Sequence, residues 1–450
     1  MLLPSLDNML TAEFRPGVPR PLLGGALLAA GLGRRLEPLT VRYLPKPMFP
    51  LGGQVPLIET WVRKLRQLGV ERLSMNLCVH KPAIRDYFGD GRQCGVQLSY
   101  LEEDTPSGTL GGVCRQVLGS AAHQLPGESV VPLPPFAGDT VLVPSGDIVT
   151  SFGVEQLAEL YALHRQAGAA VTMVLVPIPA ERRRDFGTAV LRETRAASGR
   201  LGAAGPIVAF HEKDPHSPSI WNNASIYLIE TRLLRELDAQ RTPAQCDIER
   251  PFYDFGKHVF PALLGKSPVV CLDRNSVLWG VQYDGPWFDV GQKSDYLQVN
   301  REVLDGRLAV DLPWERQAWG YLGQDVTANW QRVTIIPPVV IGDRCVIADG
   351  ATIGPYAILG SDWTVEENAR VAHAVLWERY PLFLENGERL SVGDMRALDR
   401  HEIAAGVVVE QAIVTGGRLE HDVREATVEL LPDGRISCRP LTYQPDGARA

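Results

Sequence analysis

The chain has 450 residues, 45% hydrophobic and 22% charged, a composition that excludes disorder, collagen and coiled coil and predicts two or three domains. Acidic residues outnumber basic ones, 53 to 45, for a net charge of −8. This argues against a general nucleic-acid binder, and it means that an anionic substrate must meet a local basic site.

No apolar run reaches the roughly 18 residues of a membrane span. The first twenty residues lack a basic head and carry Asp7 and Glu13, so no secretory signal is expected. Seven cysteines (78, 94, 114, 246, 271, 345, 438) are scattered without a CxxC pair. They read as reduced thiols of a cytoplasmic protein.

In chain order, the apolar run Leu22–Ala30 leads into a glycine-rich loop and a proline-punctuated segment. Leu57–Leu68 has helical spacing, Arg72–Val79 reads as a strand and Pro82–Phe88 as a short helix. Val96–Leu101 is a predicted strand, Leu110–Leu118 a helix, Thr140–Val143 a strand and Val154–Gln166 a helix. Val171–Ile178 is a strand apolar but for Thr172, as suits one buried on both faces. This alternation implies βαβ units and a doubly wound, mostly parallel, Rossmann-like α/β sheet. Residues 120–138, with four prolines, read as an inserted loop.

After Leu304 the texture changes. Residues 305–332 hold Trp314, Trp319 and Trp330 amid polar residues and read as a connector. Then Ile341, Ile347, Ile353, Leu359, Val365, Val371 and Trp377 recur every six positions. This is the signature of a hexapeptide β-helix, in which one aliphatic side chain per flat face stacks on the next coil. Three hexads make one coil, so a short solenoid of two to three coils is predicted. Ile403 and Val409 leave room for one more in the tail.

The loop after the first strand reads Leu28-Ala29-Ala30-Gly31-Leu32-Gly33-Arg34-Arg35. Gly31 and Gly33 let backbone N–H groups close on phosphate oxygens. Leu36 occupies the place of the third glycine of a dinucleotide fingerprint, and the Gly-Lys-Ser/Thr of a Walker A loop is absent. Arg35 and, eleven residues on, Lys46 in Pro45-Lys46-Pro47-Met48 add two cations, making an oligophosphate cradle.

Further elements follow in order: Tyr87-Phe88-Gly89-Asp90-Gly91, Gly108-Thr109-Leu110-Gly111-Gly112, Ser145-Gly146-Asp147 and Glu212-Lys213. Asn222-Asn223-Ala224-Ser225-Ile226-Tyr227 and Trp287-Phe288-Asp289-Val290-Gly291 complete the set, the latter followed by Asp295-Tyr296. Together with Leu28–Thr40 and Pro45–Met48, they resemble the motifs of the sugar-phosphate nucleotidyltransferases, or NDP-sugar pyrophosphorylases. The resemblance spans about residues 21–304, and the hexads resemble the left-handed β-helix tail of many members. It implies a 1–20 extension, a 21–304 catalytic domain, a 305–332 connector, a 333–377 β-helix and a 378–450 tail. Arg34, Gln54, Asp214 and Ser225 depart from the family's Ser/Thr, Lys, Pro and Gly. Arg35, Lys46, Asp147 and Asp289 are intact.

By that resemblance, Leu28, Ala29, Ala30, Gly31, Gly33, Glu103, Gly108 and Thr109 bind nucleotide. Gly187, Glu212, Lys213 and Asn223 bind the sugar phosphate. Arg35, Lys46, Asp147 and Asp289 are catalytic, with Mg²⁺ on Asp147 and Asp289. The implied reaction joins an NTP and a sugar-1-phosphate into an NDP-sugar and pyrophosphate. Both reactants are anions, so the barrier is repulsion and positioning, and cations rather than a general base are required. Glu103 lies five residues before Gly108, where relatives read the base. A carboxylate there suits guanine's two adjacent donors, which predicts GTP with mannose-1-phosphate. Glucose-1-phosphate with UTP, dTTP or ATP is the alternative, and a non-catalytic regulatory relative is the rival reading. A homo-oligomer assembled through the β-helix is expected, with no nucleic-acid or membrane partner.

Overall fold

The structure, a computed structural model, describes residues 23–119, 136, 138–196, 199–240, 254–266, 272, 277–384, 388–390 and 400–442. The expected 1–20 extension, most of the 120–138 loop and parts of the 378–450 tail lie outside the described residues. The chain divides into two compact units. The first takes residues 1–30, 61–81 and 85–287, and the second takes 31–60, 82–84 and 288–450. The division therefore does not fall at 304. The signature segment 31–60 and the stretch around Asp289 group with the solenoid.

In the first unit, the apolar runs become a nine-stranded sheet. Its strands are β1 (Leu23–Leu28), β2 (Arg72–Leu77), β3 (Gln97–Glu102), β4 (Thr140–Pro144), β5 (Val171–Pro177), β6 (Gly187–Leu191), β7 (Ala204–Glu212), β8 (Trp221–Glu230) and β9 (Leu278–Gln282). Their order is β3-β2-β1-β4-β8-β5-β9-β7-β6. The half carrying β1 is parallel throughout, as expected. The other half is mixed: β9 runs parallel to β5, while β8 runs antiparallel to both β4 and β5. Residues 187–230 supply three strands with no helix among the described residues between them, which suits antiparallel pairing because no crossover helix is needed.

Helices α1 (Gly108–Leu118), α2 (Val154–Ala167) and α3 (Thr231–Ala239) accompany the sheet. Leu110, Val113, Cys114 and Val117 of α1 join Val141, Val143, Met173, Ile229 and Leu233 in one buried core. Each such fully buried side chain contributes about 1.5–3 kcal/mol, so the core fixes α1 against the strands and with it the Gly108-Thr109 turn at its start.

In the second unit, the hexads stack as predicted. Ile341 pairs with Leu359, Leu359 with Leu376, Leu376 with Val414, and Val414 with Val428 in one parallel ladder. Ile347, Val365, Ile403 and Leu419 form the second ladder. Ile353, Val371, Val409 and Val423 form the third. These residues line one buried core.

The solenoid is longer than the 333–377 expected. Gly320–Leu322 and Thr327–Ala328 already pair with the next coil, so much of the presumed connector is the first coil. The tail continues the ladders as far as Ala426–Leu430. Antiparallel strands Glu315–Gln317 and Ile436–Pro440 cover the two ends of one sheet's parallel ladder.

Trp377 does not hold the ladder position its spacing suggested, because Leu376 takes it. Trp377 instead packs edge-on against Phe49 at 5.0 Å and donates from Nε1 to Tyr296 Oη at 3.0 Å. Tyr296, on helix α4 (Lys293–Leu304), donates to Pro50 O at 2.6 Å. Asn300 on the same helix accepts from Gly52 N–H at 2.8 Å. Tyr43 Oη donates to Leu430 O, and Arg42 lies 3.4 Å from the buried Glu429 carboxylate. The segment after the phosphate loop is thus held by α4 and by the last coil.

Candidate active site

The parallel strands β1, β2 and β4 end side by side in the first unit, and ligands of open α/β sheets bind beyond such carboxyl ends. Leu28 is in register with Asn76 and bridges to Ser145. Gly146 N–H donates to Leu28 O at 2.9 Å, so the turn carrying Asp147 is tied to the start of the glycine loop. Ser145 Oγ donates to Asp147 Oδ1 at 2.6 Å. Ala29 N–H donates to Asn76 Oδ1 at 2.8 Å.

Glu103 departs from expectation. It is 0% exposed, and its oxygens accept from Asn76 Nδ2 at 2.9 Å, from Ser107 N–H at 3.2 Å and from the Ser107 hydroxyl. Arg115 Nη1 stands 3.4 Å away, itself buried. Burial pushes the Glu103 carboxyl above the usual carboxylate range, against the pull of those donors. The side chain turns into the protein rather than toward a base edge, so the guanine-reading role assigned to it is not carried by its geometry. Spacing alone could not show which way the side chain points.

Glu212, half-buried at the end of β7, marks the expected sugar side. A Cβ on Gly187 would lie 2.6 Å from its Oε2, and one on Gly256 2.5 Å, so both glycines make room for this carboxylate. Burial raises its pKa, and the neighbouring Asp254 raises it further. Asp254 escaped the sequence reading. Its side chain caps the single π-turn Phe255–Val259 by accepting from Lys257 N–H, and such turns concentrate at functional sites. Phe255 N–H donates to Thr109 Oγ1 at 3.0 Å, joining this turn to the Gly108-Thr109 element. Lys213 is exposed beside Glu212 with φ +52°.

Asn223 is engaged within its own loop. Its Nδ2 donates to Tyr227 Oη at 2.7 Å, and its Oδ1 accepts from Ser225 N–H at 3.0 Å. Ser225 has φ +56°, a conformation that favours glycine, and the Asn223 bond supports the serine there.

In the second unit, Gly33 has φ +62°, and a Cβ on it would meet Thr40 Cγ2 at 2.8 Å. Thr40 Oγ1 donates to Gly33 O at 3.1 Å. At Gly31 a Cβ would meet no atom within 4 Å. Packing does not require glycine at that position. Lys46, nearly buried, extends its ammonium to 3.2 Å from Asp289 Oδ1. The Arg35 guanidinium lies against Gly291, where a Cβ would come within 2.9 Å of it. The loop glycines, both cations and one carboxylate thus fall in one unit. Asp147 and the Glu103 and Glu212 groups fall in the other.

Comparison with known proteins shows the family. The profile of the family described as nucleotidyl transferase matches residues 25–306. A UTP–glucose-1-phosphate uridylyltransferase from Synechocystis is 30% identical over 78% of this chain and 82% of its own. A mannose-1-phosphate guanylyltransferase from Mycobacterium tuberculosis is 28% identical over 73% and 76%. A glucose-1-phosphate adenylyltransferase from Desulfitobacterium hafniense is 27% identical over 80% and 82%. The chain therefore belongs to the nucleotidyl transferases, among the sugar-1-phosphate nucleotidyltransferases.

Proposed function

We propose that the chain condenses an NTP with a hexose-1-phosphate, releasing pyrophosphate. The observation that carries this reading is the combination of Gly31, Gly33, Arg35 and Lys46 in one compact unit, with Lys46 paired to Asp289. Loop N–H groups and the two cations bind and orient the triphosphate and offset its charge. A sugar-phosphate oxygen then attacks the α-phosphorus in line, and pyrophosphate leaves with its charge balanced by Arg35 and Lys46. The attacking phosphate is already anionic and needs no base. On the sugar side, Glu212 and Asp254 accept hydroxyl hydrogens and Lys213 faces the phosphate.

Asp147 and Asp289 are the residues that would hold Mg²⁺. No cluster of three or more His, Cys, Asp or Glu side chains suited to a metal stands among the described residues. Mg²⁺ usually keeps several waters and substrate phosphate oxygens and takes only one or two carboxylates. When bound, Mg²⁺ neutralises phosphate charge and polarises the α-phosphoryl group.

Two substrate pairs have support: GTP with mannose-1-phosphate and UTP with glucose-1-phosphate, after the relatives above. Burial of Glu103 withdraws the residue-level argument for guanine and leaves the pairs level. We place the protein in the cytoplasm on its seven scattered cysteines, which form no CxxC pair, and propose self-association on Trp330, Ile336 and Val346, exposed on the solenoid. The test is pyrophosphate release over a grid of four NTPs and hexose-1-phosphates. Release with one pair well above the others supports the reading. Nucleotide-sugar binding without release from any pair would support a regulatory protein instead.

A further inference from the structure

Asn76 and Glu103 belong to no motif-assigned role that survives the geometry, yet both are buried, at 3% and 0% exposure. Asn76, next to last in β2, stands between two backbone segments that the nucleotide reading uses. On one side its Oδ1 accepts from Ala29 N–H, at the mouth of the glycine loop. On the other its Nδ2 donates to Glu103 Oε2. The opposite oxygen of Glu103 accepts from the N–H and hydroxyl of Ser107, the residue that precedes Gly108 and begins α1.

The amide orientation is dictated. Ala29 N–H can only donate and an ionised carboxylate can only accept, so the Asn76 oxygen must face the first and its nitrogen the second. Gly112 of α1 makes the space, since a Cβ there would lie 2.7 Å from Asn76 Nδ2.

We propose that Asn76 and Glu103 form a positioning relay that sets the Ala29 turn and the Ser107–Thr109 turn at a fixed separation and thereby shapes the nucleotide site. This inference rests on the assignment of those two turns to nucleotide binding. Neither residue touches the reacting atoms. Fully satisfied buried polar networks of this kind hold one geometry, because every alternative leaves a group unpaired in a low dielectric.

The polarity of the relay supplies its test. Glu103→Gln sets an amide N–H₂ against either the Ser107 N–H or the Asn76 N–H₂. Asn76→Asp sets two carboxylates face to face. The swap Asn76→Asp with Glu103→Gln restores the relay's bonds: the new Gln donates to the new Asp and accepts from Ser107, while the Asp still accepts from Ala29 N–H; Arg115 then faces the Gln amide oxygen in place of the carboxylate. Total charge is unchanged.

The experiment measures steady-state pyrophosphate release and calorimetric NTP binding for wild type, both single variants, the swap and Gly112→Ala. Alanine suits the interior of α1, so that last variant folds while its Cβ displaces the Asn76 amide. The relay predicts that each single variant and Gly112→Ala raise the NTP KM and Kd about tenfold or more, the scale of a lost buried charge-assisted bond. The sugar-phosphate KM should move less than twofold, and the swap should return to within about threefold of wild type. NTP binding unchanged in the single variants, or a swap no better than the worse single variant, overturns the relay. A Glu103→Gln change confined to one base also overturns it, because that marks direct base reading. Absence of NTP binding by the wild type refutes instead the assignment on which the relay rests.

Discussion

The Lys46 ammonium stands 3.2 Å from the Asp289 carboxylate, across 243 positions of sequence. The proline-flanked cation and the Trp-Phe-Asp element are thus one electrostatic unit. Asp289→Asn should lower the rate about 10²–10³-fold, the usual cost of removing one preorganised charge from a transition state. Asp147→Asn should do likewise, and the double variant should be little slower than the worse single one. Lys46→Ala should mainly raise the NTP KM. Pyrophosphate release titrated with Mg²⁺ checks all four variants, and a near wild-type rate for Asp289→Asn removes it from the site.

Gly187→Ala should act on the sugar and spare the nucleotide. Its Cβ would press on Glu212 Oε2 at 2.6 Å and on Phe210 Cζ at 2.5 Å. The sugar-phosphate KM is expected to rise tenfold or so, at the lower end of what an unpaired buried hydrogen bond costs, with the NTP KM little changed. Because burial and Asp254 raise the Glu212 pKa, mild acid should protonate it sooner than an ordinary glutamate. Sugar-phosphate affinity should therefore fall first on acidification, and Glu212→Gln should flatten that limb of the KM–pH profile.

Trp377 couples the solenoid to the segment after the phosphate loop. Trp377→Ala opens a large cavity beside Phe49 and Tyr296 and should cost about 3–5 kcal/mol. Trp377→Phe keeps an aromatic ring beside Phe49 but loses the bond to Tyr296 Oη and part of the indole volume, and should cost about 1–3 kcal/mol. Denaturant unfolding measures both. The Ala variant should also raise the NTP KM, as residues 43–52 loosen.

Glu378 makes stability pH-dependent. Burial pushes its carboxyl up to about 7, with Asp343 and Asp362 adding to the effect. The folded state therefore binds this proton more tightly than the unfolded state, and stability falls as pH rises from about 4.5 to 7. The loss is on the order of 2–3 kcal/mol. Glu378→Gln, which can keep the bonds to Ser361 and Tyr380, should raise Tm at pH 8 and flatten Tm between pH 5 and 7.

The sequence disclosed the solenoid because each flat face needs one apolar residue, and Ile341 through Val371 keep that phase without a break. The phase slips at Leu376 and resumes only at Ile403, so the later coils were nearly silent. In the first coil the ladder positions are Leu322, Ala328 and Ile335, where a small alanine and a seven-residue step from Ala328 to Ile335 blur the period. At the site, Gly33, Lys46 and Asp147 were legible because backbone shape or charge demands those residue types at those places. Asn76, Glu103 and Asp254 were not. Their roles depend on side-chain direction and on partners 27 to 47 positions away or more, which spacing along one strand does not encode. Asn76 did leave a trace, as a buried polar side chain near the end of Arg72–Leu77.

The central claim is nucleotidyl transfer from an NTP to a sugar phosphate oxygen. It is tested most directly with hexose-1-phosphate labelled by ¹⁸O in its phosphate, incubated with NTP, Mg²⁺ and the wild-type protein, and read by mass spectrometry. The account predicts NDP-hexose carrying the label in its sugar-side phosphate and unlabelled pyrophosphate in equal amount. Unlabelled pyrophosphate released equally fast without the sugar phosphate, or label appearing in pyrophosphate, would contradict it.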